Sequence, residues 1–339
     1  MRYPEFLKEK GTIGYVAPSF GVTGQPYTDQ YFEAKRKFEE MGYTVVEGPN
    51  VHKMEKVASA SAKERAKEFM DMYLDESIDF INSVAGGEIM VDMLPYIDFN
   101  KLIYAKPKFF MGYSDNTNMT FLLNTICDVA SIYGSNAENF GMKKWYRSLR
   151  ESYEIMTGKR LHQTSYKKFA INDKSHEEGK SLCGYDLTEP DIIYTSTGED
   201  MKLKGRLIGG CMEVLPVLIG TPYDQVAEYG ERYSKDGLLF FLESCEFPSV
   251  GVYRTLFQMK EAGWFDHCNG IIFGREGNRE PFFEYTFEEA CHAVLDEMNI
   301  PFIYDADFGH VPPSWSIISG SIGTIEVKDA KAKIKYQLK

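Results

Sequence analysis

The sequence predicts an α/β protein whose first half is a doubly wound, mostly parallel sheet, followed by a second domain. Three observations carry this. Strand-length apolar runs alternate with amphipathic helical segments through the first third of the chain. Between about Lys159 and Thr188 that periodicity is lost in a polar stretch containing Asn172-Asp-Lys-Ser-His-Glu-Glu-Gly-Lys180. Beyond it the alternation resumes and closes on two period-2 segments. At roughly 100–200 residues per domain, 339 residues fit two domains, and the polar stretch puts the boundary near residue 165, giving domains 1–165 and 166–339.

Thr12–Ala17 reads as a buried strand ended by Pro18-Ser-Phe-Gly21. Asp29–Met41 has helical spacing in Tyr31, Phe32, Ala34, Phe38 and Met41, with Gly42 as the stop. Tyr43–Glu47 is the next strand, and Ser61 opens a helix to Leu74 with the stripe Ala62, Ala66, Phe69, Met70 and Tyr73. Strands follow at Phe80–Val84 and Lys108–Tyr113, then a helix over Asn118–Cys127. In the second half, short polar strands precede Gly205–Gly210, which leads into a helix. Leu238–Leu242 and Gly270–Gly274 read as strands, Val252–Ala262 and Phe287–Met298 as helices, and Phe302–Tyr304 as a strand. Thr324–Lys328 and Ala332–Tyr336 alternate like an antiparallel hairpin at the sheet edge.

Composition narrows the function classes. The 38 basic against 50 acidic residues leave a net charge of −12, which opposes a broad nucleic-acid surface, since phosphate binding needs clustered Lys and Arg. The amino terminus carries no apolar run of signal-peptide length, and no stretch approaches the ~20 apolar residues of a membrane helix. A soluble, cytoplasmic protein is therefore expected. Cysteines 127, 183, 211, 245, 268 and 291 form no C-x-x-C pair and sit in or beside apolar patterns, so they read as buried free thiols. No H-E-x-x-H, no cysteine/histidine cluster at ligand spacing and no G-x-G-x-x-G after a strand suggest neither a metal nor a dinucleotide.

Four segments could carry chemistry. In Met111-Gly-Tyr-Ser-Asp-Asn-Thr117 a strand runs straight into a helix with Ser114 at the turn. Such a turn holds a hydroxyl at the sheet's carboxyl edge, where the first N–H groups of the helix face the same space. Ser114 also reads as a plain N-cap, and the pattern is not the G-x-S-x-G elbow. Ser83-Val-Ala-Gly-Gly-Glu88 places paired glycines after a strand, either to aim an N–H into a cleft or as a tight turn. Glu243 ends an apolar strand, where a carboxylate needs a partner or turns to water. Asp307-Phe-Gly-His-Val-Pro-Pro313 presents His310 after a strand; the other histidines (52, 162, 176, 267 and 292) lie in polar loops or helical segments. A serine, a carboxylate and a histidine thus each fall at a strand end, in the order Ser…Glu…His that nucleophilic triads use, and a cleft between the domains would bring them together.

The segments Gly14-Tyr-Val-Ala-Pro-Ser19, Gly86-Gly87 before Leu94-Pro-Tyr-Ile-Asp98, Lys106–Thr117, Gly205–Leu215 with Gly220-Thr-Pro222, Leu242-Glu243 and Gly309-His310 resemble, in order and over nearly the whole chain, the LD-carboxypeptidase family of serine peptidases. That family includes the microcin C self-immunity peptidases. The resemblance implies a Rossmann-like amino-terminal domain, a smaller α/β, β-rich carboxyl-terminal domain, often a homodimer, and no metal. It implies Ser114 as nucleophile, Glu243 as triad carboxylate and His310 as base, with the N–H groups of Asp115 and of Gly87 or Gly86 as oxyanion hole. Glu246 is a candidate substrate contact.

Many murein-recycling members carry Arg before the paired glycines and Asp after the triad Glu; here Ala85 and Ser244 stand there. Gly-Arg-Leu-Ile-Gly-Gly-Cys and Glu-Ala-Gly-Trp-Phe-Asp look closer to the microcin-immunity branch. The resemblance implies a carboxypeptidase releasing a terminal residue such as D-Ala from a small peptide or muropeptide, or else an immunity-type peptidase cleaving peptidyl- or aminoacyl-nucleotides. A non-catalytic two-domain ligand-binding protein is the reading from another class.

Overall fold

The structure is a computed structural model describing residues 1–171 and 174–339. Asn172 and Asp173, in the polar stretch, lie outside the described residues. The strands are β1 (Thr12–Val16), β2 (Thr44–Glu47), β3 (Phe80–Ser83), β4 (Phe109–Gly112), β5 (Ser131–Tyr133), β6 (His162–Thr164), β7 (Lys168–Phe169), β8 (Glu189–Pro190), β9 (Tyr194–Thr195), β10 (Met201–Cys211), β11 (Leu238–Glu243), β12 (Cys268–Gly274), β13 (Phe302–Ala306), β14 (Ile317–Ser319), β15 (Ile322–Lys328) and β16 (Lys331–Gln337). The helices are α1 (Tyr27–Glu40), α2 (Ala62–Leu74), α3 (Phe99–Tyr104), α4 (Thr117–Thr125), α5 (Arg147–Met156), α6 (Val226–Arg232), α7 (Ser249–Glu261) and α8 (Phe287–Leu295).

The first sheet has the order β14-β5-β4-β3-β1-β2, parallel except for β14. Side-chain alternation divides its two faces. Phe109 and Met111 pack in one apolar cluster with Tyr31 and Phe38 of α1 and Leu149 and Ile155 of α5. Phe110 packs in the other with Phe69 of α2 and Leu122 of α4. Both faces are therefore covered, which is why these strands read as continuous apolar runs. Ser61 caps α2 through a capping box with Glu64, so that helix begins where the sequence places it.

The second sheet, β6-β16-β15-β10-β11-β12-β13-β9, has a parallel centre of β10 to β13. Phe240 and Leu242 of β11 face the cluster holding α7 and α8; Leu239 and Phe241 face the cluster holding Ile325 and Ile334. Each cluster runs through both sheets. The two units thus share their packing, and β14, from the far end of the chain, completes the first sheet while β6 edges the second.

Several expectations change. Gly205–Gly210 belongs to the long strand β10; only a 3-10 turn, Leu215–Leu218, follows closely, and the helix begins at Val226. The terminal hairpin is not at the edge, because β15 also pairs with β10 and β16 with β6. Cys183 is exposed rather than buried, and the described cysteines are all free thiols. No helix is long and apolar enough to cross a membrane among the described residues.

Candidate active site

Ser114 follows β4 and opens a 3-10 turn, Ser114–Asn116, that continues into α4. Its φ of +65° lies in the left-handed region that non-glycine residues adopt at a cost of order 1–3 kcal/mol, a strain concentrated at functional sites. It is not the N-cap that the segment alone allows, since Asn116 occupies that position in α4. The turn is stitched to the glycine loop: Asn116 Nδ2 donates to the Ala85 carbonyl (2.9 Å), the Tyr113 carbonyl (3.0 Å) and Asn136 Oδ1 (3.1 Å), and Asn136 Oδ1 also accepts the Tyr113 N–H (3.2 Å). A Cβ on Gly86 would lie 3.2 Å from Ser114 Oγ, so this loop backbone sits directly against the hydroxyl. Gly87 has φ +148°, and a Cβ there would meet Ser19 Oγ at 2.1 Å. The Asp115 side chain points inward, accepting from Ser19 Oγ (2.5 Å) and the Met90 N–H (2.8 Å). Burial pushes its carboxyl up, partly offset by those hydrogen bonds.

Glu243 ends β11, which is buried throughout, and is itself 1% exposed. Its partners explain how the charge survives there. His310 Nδ1 is 2.9 Å from Oε2, and the Tyr133 hydroxyl donates to Oε1 at 2.5 Å. Burial favours the neutral carboxyl, but the charge and hydrogen bonds of His310 and Tyr133 together hold Glu243 below the usual range. Burial likewise lowers His310, and the facing Glu243 charge, together with the Cys245 thiol beside the ring, more than reverses this, leaving the imidazole well above its ordinary value. The same Tyr133 oxygen accepts the Ser114 N–H (3.3 Å), so one phenol bridges the Ser114 backbone and the Glu243 carboxylate. Tyr113 completes the proximity, its ring packing edge-on against His310 at 5.1 Å between centroids. Ser114 Oγ and His310 are not hydrogen-bonded among the described residues, a contact that in unliganded sites often forms only with substrate.

The His310 loop is held from below by Arg275, a buried side chain that donates to the carbonyls of Val311 (2.9 Å) and Pro313 (2.9 Å) and pairs with Asp191 (3.0 Å) and Asp307. Gly309 has φ +99°, and a Cβ there would come within 2.9 Å of Glu243 Oε2. That close approach accounts for the Gly-His pair. Strand β10 reaches the same place: the Cys211 N–H donates to Thr117 Oγ1 (3.0 Å) at the start of α4.

After Glu243 the chain turns around one carboxylate. Glu213 Oε1 accepts from Ser244 Oγ (2.7 Å) and from the N–H groups of Cys245 (3.1 Å), Glu246 (2.9 Å) and Phe247 (3.1 Å). Glu246, the candidate substrate contact, is exposed and joins this cluster only through its backbone. Glu213 Oε2 accepts from Cys211 Sγ at 3.0 Å. Linear spacing concealed a further convergence: ligand atoms of Cys211, Cys245 and His310 all lie within 4.8 Å of one another, among the described residues a set able to hold a metal. The two thiols act on one another: Cys211 lowers that of Cys245, and Cys245, together with burial, raises that of Cys211.

A cavity of about 210 Å³ opens beside His310, lined among others by Tyr27, Tyr113, Glu138, Tyr185 and Trp315. Its lining contains no Lys or Arg among the described residues. Burial pushes the Glu138 carboxyl up to about 8, and its Oε2 has no hydrogen-bond partner among the described residues.

Residues 13–134 match the LD-carboxypeptidase N-terminal domain and residues 204–325 the LD-carboxypeptidase C-terminal domain, together more than half of the chain. The chain belongs to the LD-carboxypeptidase family. Its relatives include the microcin self-immunity protein MccF of Escherichia coli, 25% identical over 96% of this chain and 93% of that protein. Another is a Bacillus subtilis protein named "Probable murein peptide carboxypeptidase", 21% identical over 98% of this chain and 94% of that one. Among solved structures, an MccF-like protein from Bacillus anthracis superposes with a TM-score of 0.84 at 22% identity, covering 99% of this chain and 100% of that one. MccF in complex with aspartyl sulfamoyl adenosine superposes at 0.83 and 23% identity, covering 99% of each. The fold class expected from the sequence is thus the fold of these two-domain relatives, and the family is one of peptidases.

The residues that sequence reading missed are Tyr133, Asn116, Asn136, Glu213 and Arg275. Glu213 stands in the Gly205–Leu215 segment already quoted, and Arg275 directly follows the β12 run; both are charged residues just past strand ends, the signal that singled out Glu243.

Proposed function

We propose that this protein is a serine hydrolase of carboxypeptidase type, cleaving the amide bond before the last residue of a small peptide. Ser114 Oγ attacks the carbonyl while His310 accepts its proton through the nitrogen not facing Glu243. The N–H groups of Asp115 and of Gly87 or Gly86 receive the oxyanion. Collapse expels the amine, which takes the proton from His310, and water then hydrolyses the acyl-enzyme by the same route. Glu243 fixes the tautomer of His310 and stabilises the imidazolium.

The observation that carries this reading is the buried Glu243–His310 contact of 2.9 Å, tied through Tyr133 to the backbone of a serine held in the left-handed region. A non-catalytic binding protein needs neither the strained serine nor a carboxylate buried at that cost.

The cavity favours a second substrate, an aminoacyl-nucleotide. A terminal carboxylate placed there would find no Lys or Arg among the described residues, whereas aromatic walls and the raised Glu138 carboxyl suit a flat, hydrogen-bonding base. One comparison separates the two substrates: release of D-Ala from a muropeptide against turnover of an aspartyl-adenylate analogue. Turnover of the muropeptide supports the first, and turnover of the analogue alone supports the second. Turnover of neither, by protein that is folded, removes both.

A further inference from the structure

We propose that Cys211, Cys245 and His310 form an inhibitory site for a soft divalent cation of the zinc class, which closes the enzyme by occupying its base. The inference rests on the role proposed for His310.

The geometry comes first. Two thiols and an imidazole converge within 4.8 Å from three separate elements: the end of β10, the turn after β11 and the loop after β13. Zn–S distances near ~2.3 Å put two tetrahedral ligands about 3.8 Å apart, so closure needs about 1 Å shared between two side chains. Thiolate and imidazole are the ligands that borderline-soft cations select over the oxygen sets of magnesium or calcium.

The surroundings also favour a cation. Cys211 Sγ donates to Glu213 Oε2 at 3.0 Å and lies within 4.8 Å of the Cys245 ligand atom, so a carboxylate oxygen stands beside the thiol pair. Glu213 Oε1 already takes four donors, and among the described residues Oε2 has only this thiol. When both thiols give up their protons to bind a dication, two positive charges meet two thiolates, and Oε2 becomes available as a fourth ligand. Nothing is oxidised or reduced: two S–H bonds are exchanged for two metal–sulfur bonds and two protons leave to solvent.

Occupancy blocks catalysis whichever ring nitrogen is used. A metal on the nitrogen not facing Glu243 removes the proton acceptor. A metal on Nδ1 displaces the contact with Glu243 that orients the ring.

The test uses the full chain freed of metal by chelator and titrated with Co²⁺. A thiolate-to-cobalt charge-transfer band should appear, saturate at one ion per chain and disappear on adding one equivalent of Zn²⁺. Cys211→Ser and Cys245→Ser should each lose the band. In the wild-type chain, Zn²⁺ should protect Cys245 from iodoacetamide while the exposed Cys183 stays reactive; this reading does not depend on any variant folding. Absence of the band, its survival in Cys245→Ser, or unchanged alkylation of Cys245 overturns the site. Ser114→Ala should keep the band. Fluorophosphonate labelling of Ser114 in metal-free protein, blocked by Zn²⁺, tests the inhibition. If the metal-free protein is not labelled while the band is present, the serine mechanism fails and the metal site stands.

Discussion

Replacing Tyr133 with phenylalanine isolates the bridge between Ser114 and Glu243. The ring stays buried in its cluster, but Glu243 Oε1 loses its donor and the Ser114 N–H loses its acceptor. A hydrogen bond to a buried charged group is worth ~1.5–3 kcal/mol, and at about 1.36 kcal/mol per decade full expression in the barrier lowers kcat/KM roughly 10- to 150-fold. The pH profile moves too. Tyr133 spreads part of the Glu243 charge; without it the carboxylate holds the His310 proton more tightly, so the acid limb shifts to higher pH. The assay is kcat/KM across the pH range, with the melting temperature measured alongside. A mere packing role would lower the melting temperature and leave the acid limb in place; that outcome, or full activity, refutes the bridge.

Other outcomes follow from the same geometry. Ser114→Ala should abolish turnover, by on the order of 10⁶-fold, with substrate binding by calorimetry retained; turnover within tenfold of wild type would contradict the nucleophile. For the wild type, kcat/KM should rise with pH through an ionisation above the free-histidine value of ~6.5, because Glu243 and Cys245 together outweigh burial at His310. That raised value means the contribution of His310 to folding is complete below the unfolded histidine pKa and is lost as pH rises through the folded one, which denaturant melts at several pH values can follow. Glu243→Gln should lose roughly 10⁴-fold and carry its residual acid limb to lower pH; an unmoved limb breaks the proposed contact. Gly309→Ala should cost at least ~1–3 kcal/mol from backbone strain alone, with the added Cβ pressing on Glu243; an unfolding midpoint equal to wild type would contradict it. Dialysis against a chelator should leave the rate undiminished, and loss restored by zinc would overturn the serine mechanism.

Ser114, Glu243 and His310 stood out as candidates because each falls at or just after the end of an apolar run that reads as a buried strand; each also had a plain structural reading, and the family resemblance supplied the roles. Tyr133 was not, since β5 is three residues long and a tyrosine in it looks like core; its role appears only across 110 positions, at Glu243. Glu213 and the Cys211–Cys245–His310 convergence were hidden for the same reason: β10 and β11 lie side by side in the sheet, so residues after their ends meet although far apart in sequence. Gly205–Gly210 suggested a turn into a helix by its glycines, yet Gly209 and Gly210 sit within β10 because close backbone at Phe241 and the Thr117 side chain leave no room for a Cβ. The hairpin was recognised but misplaced, since period-2 alternation shows pairing and one buried face, not which strand flanks the other side.

Labelling with a fluorophosphonate, followed by peptide mapping, tests the central claim most directly. One adduct should form, on Ser114, and it should form far more slowly in His310→Ala. An unlabelled, folded and metal-free protein, or an adduct on another residue, would contradict the account.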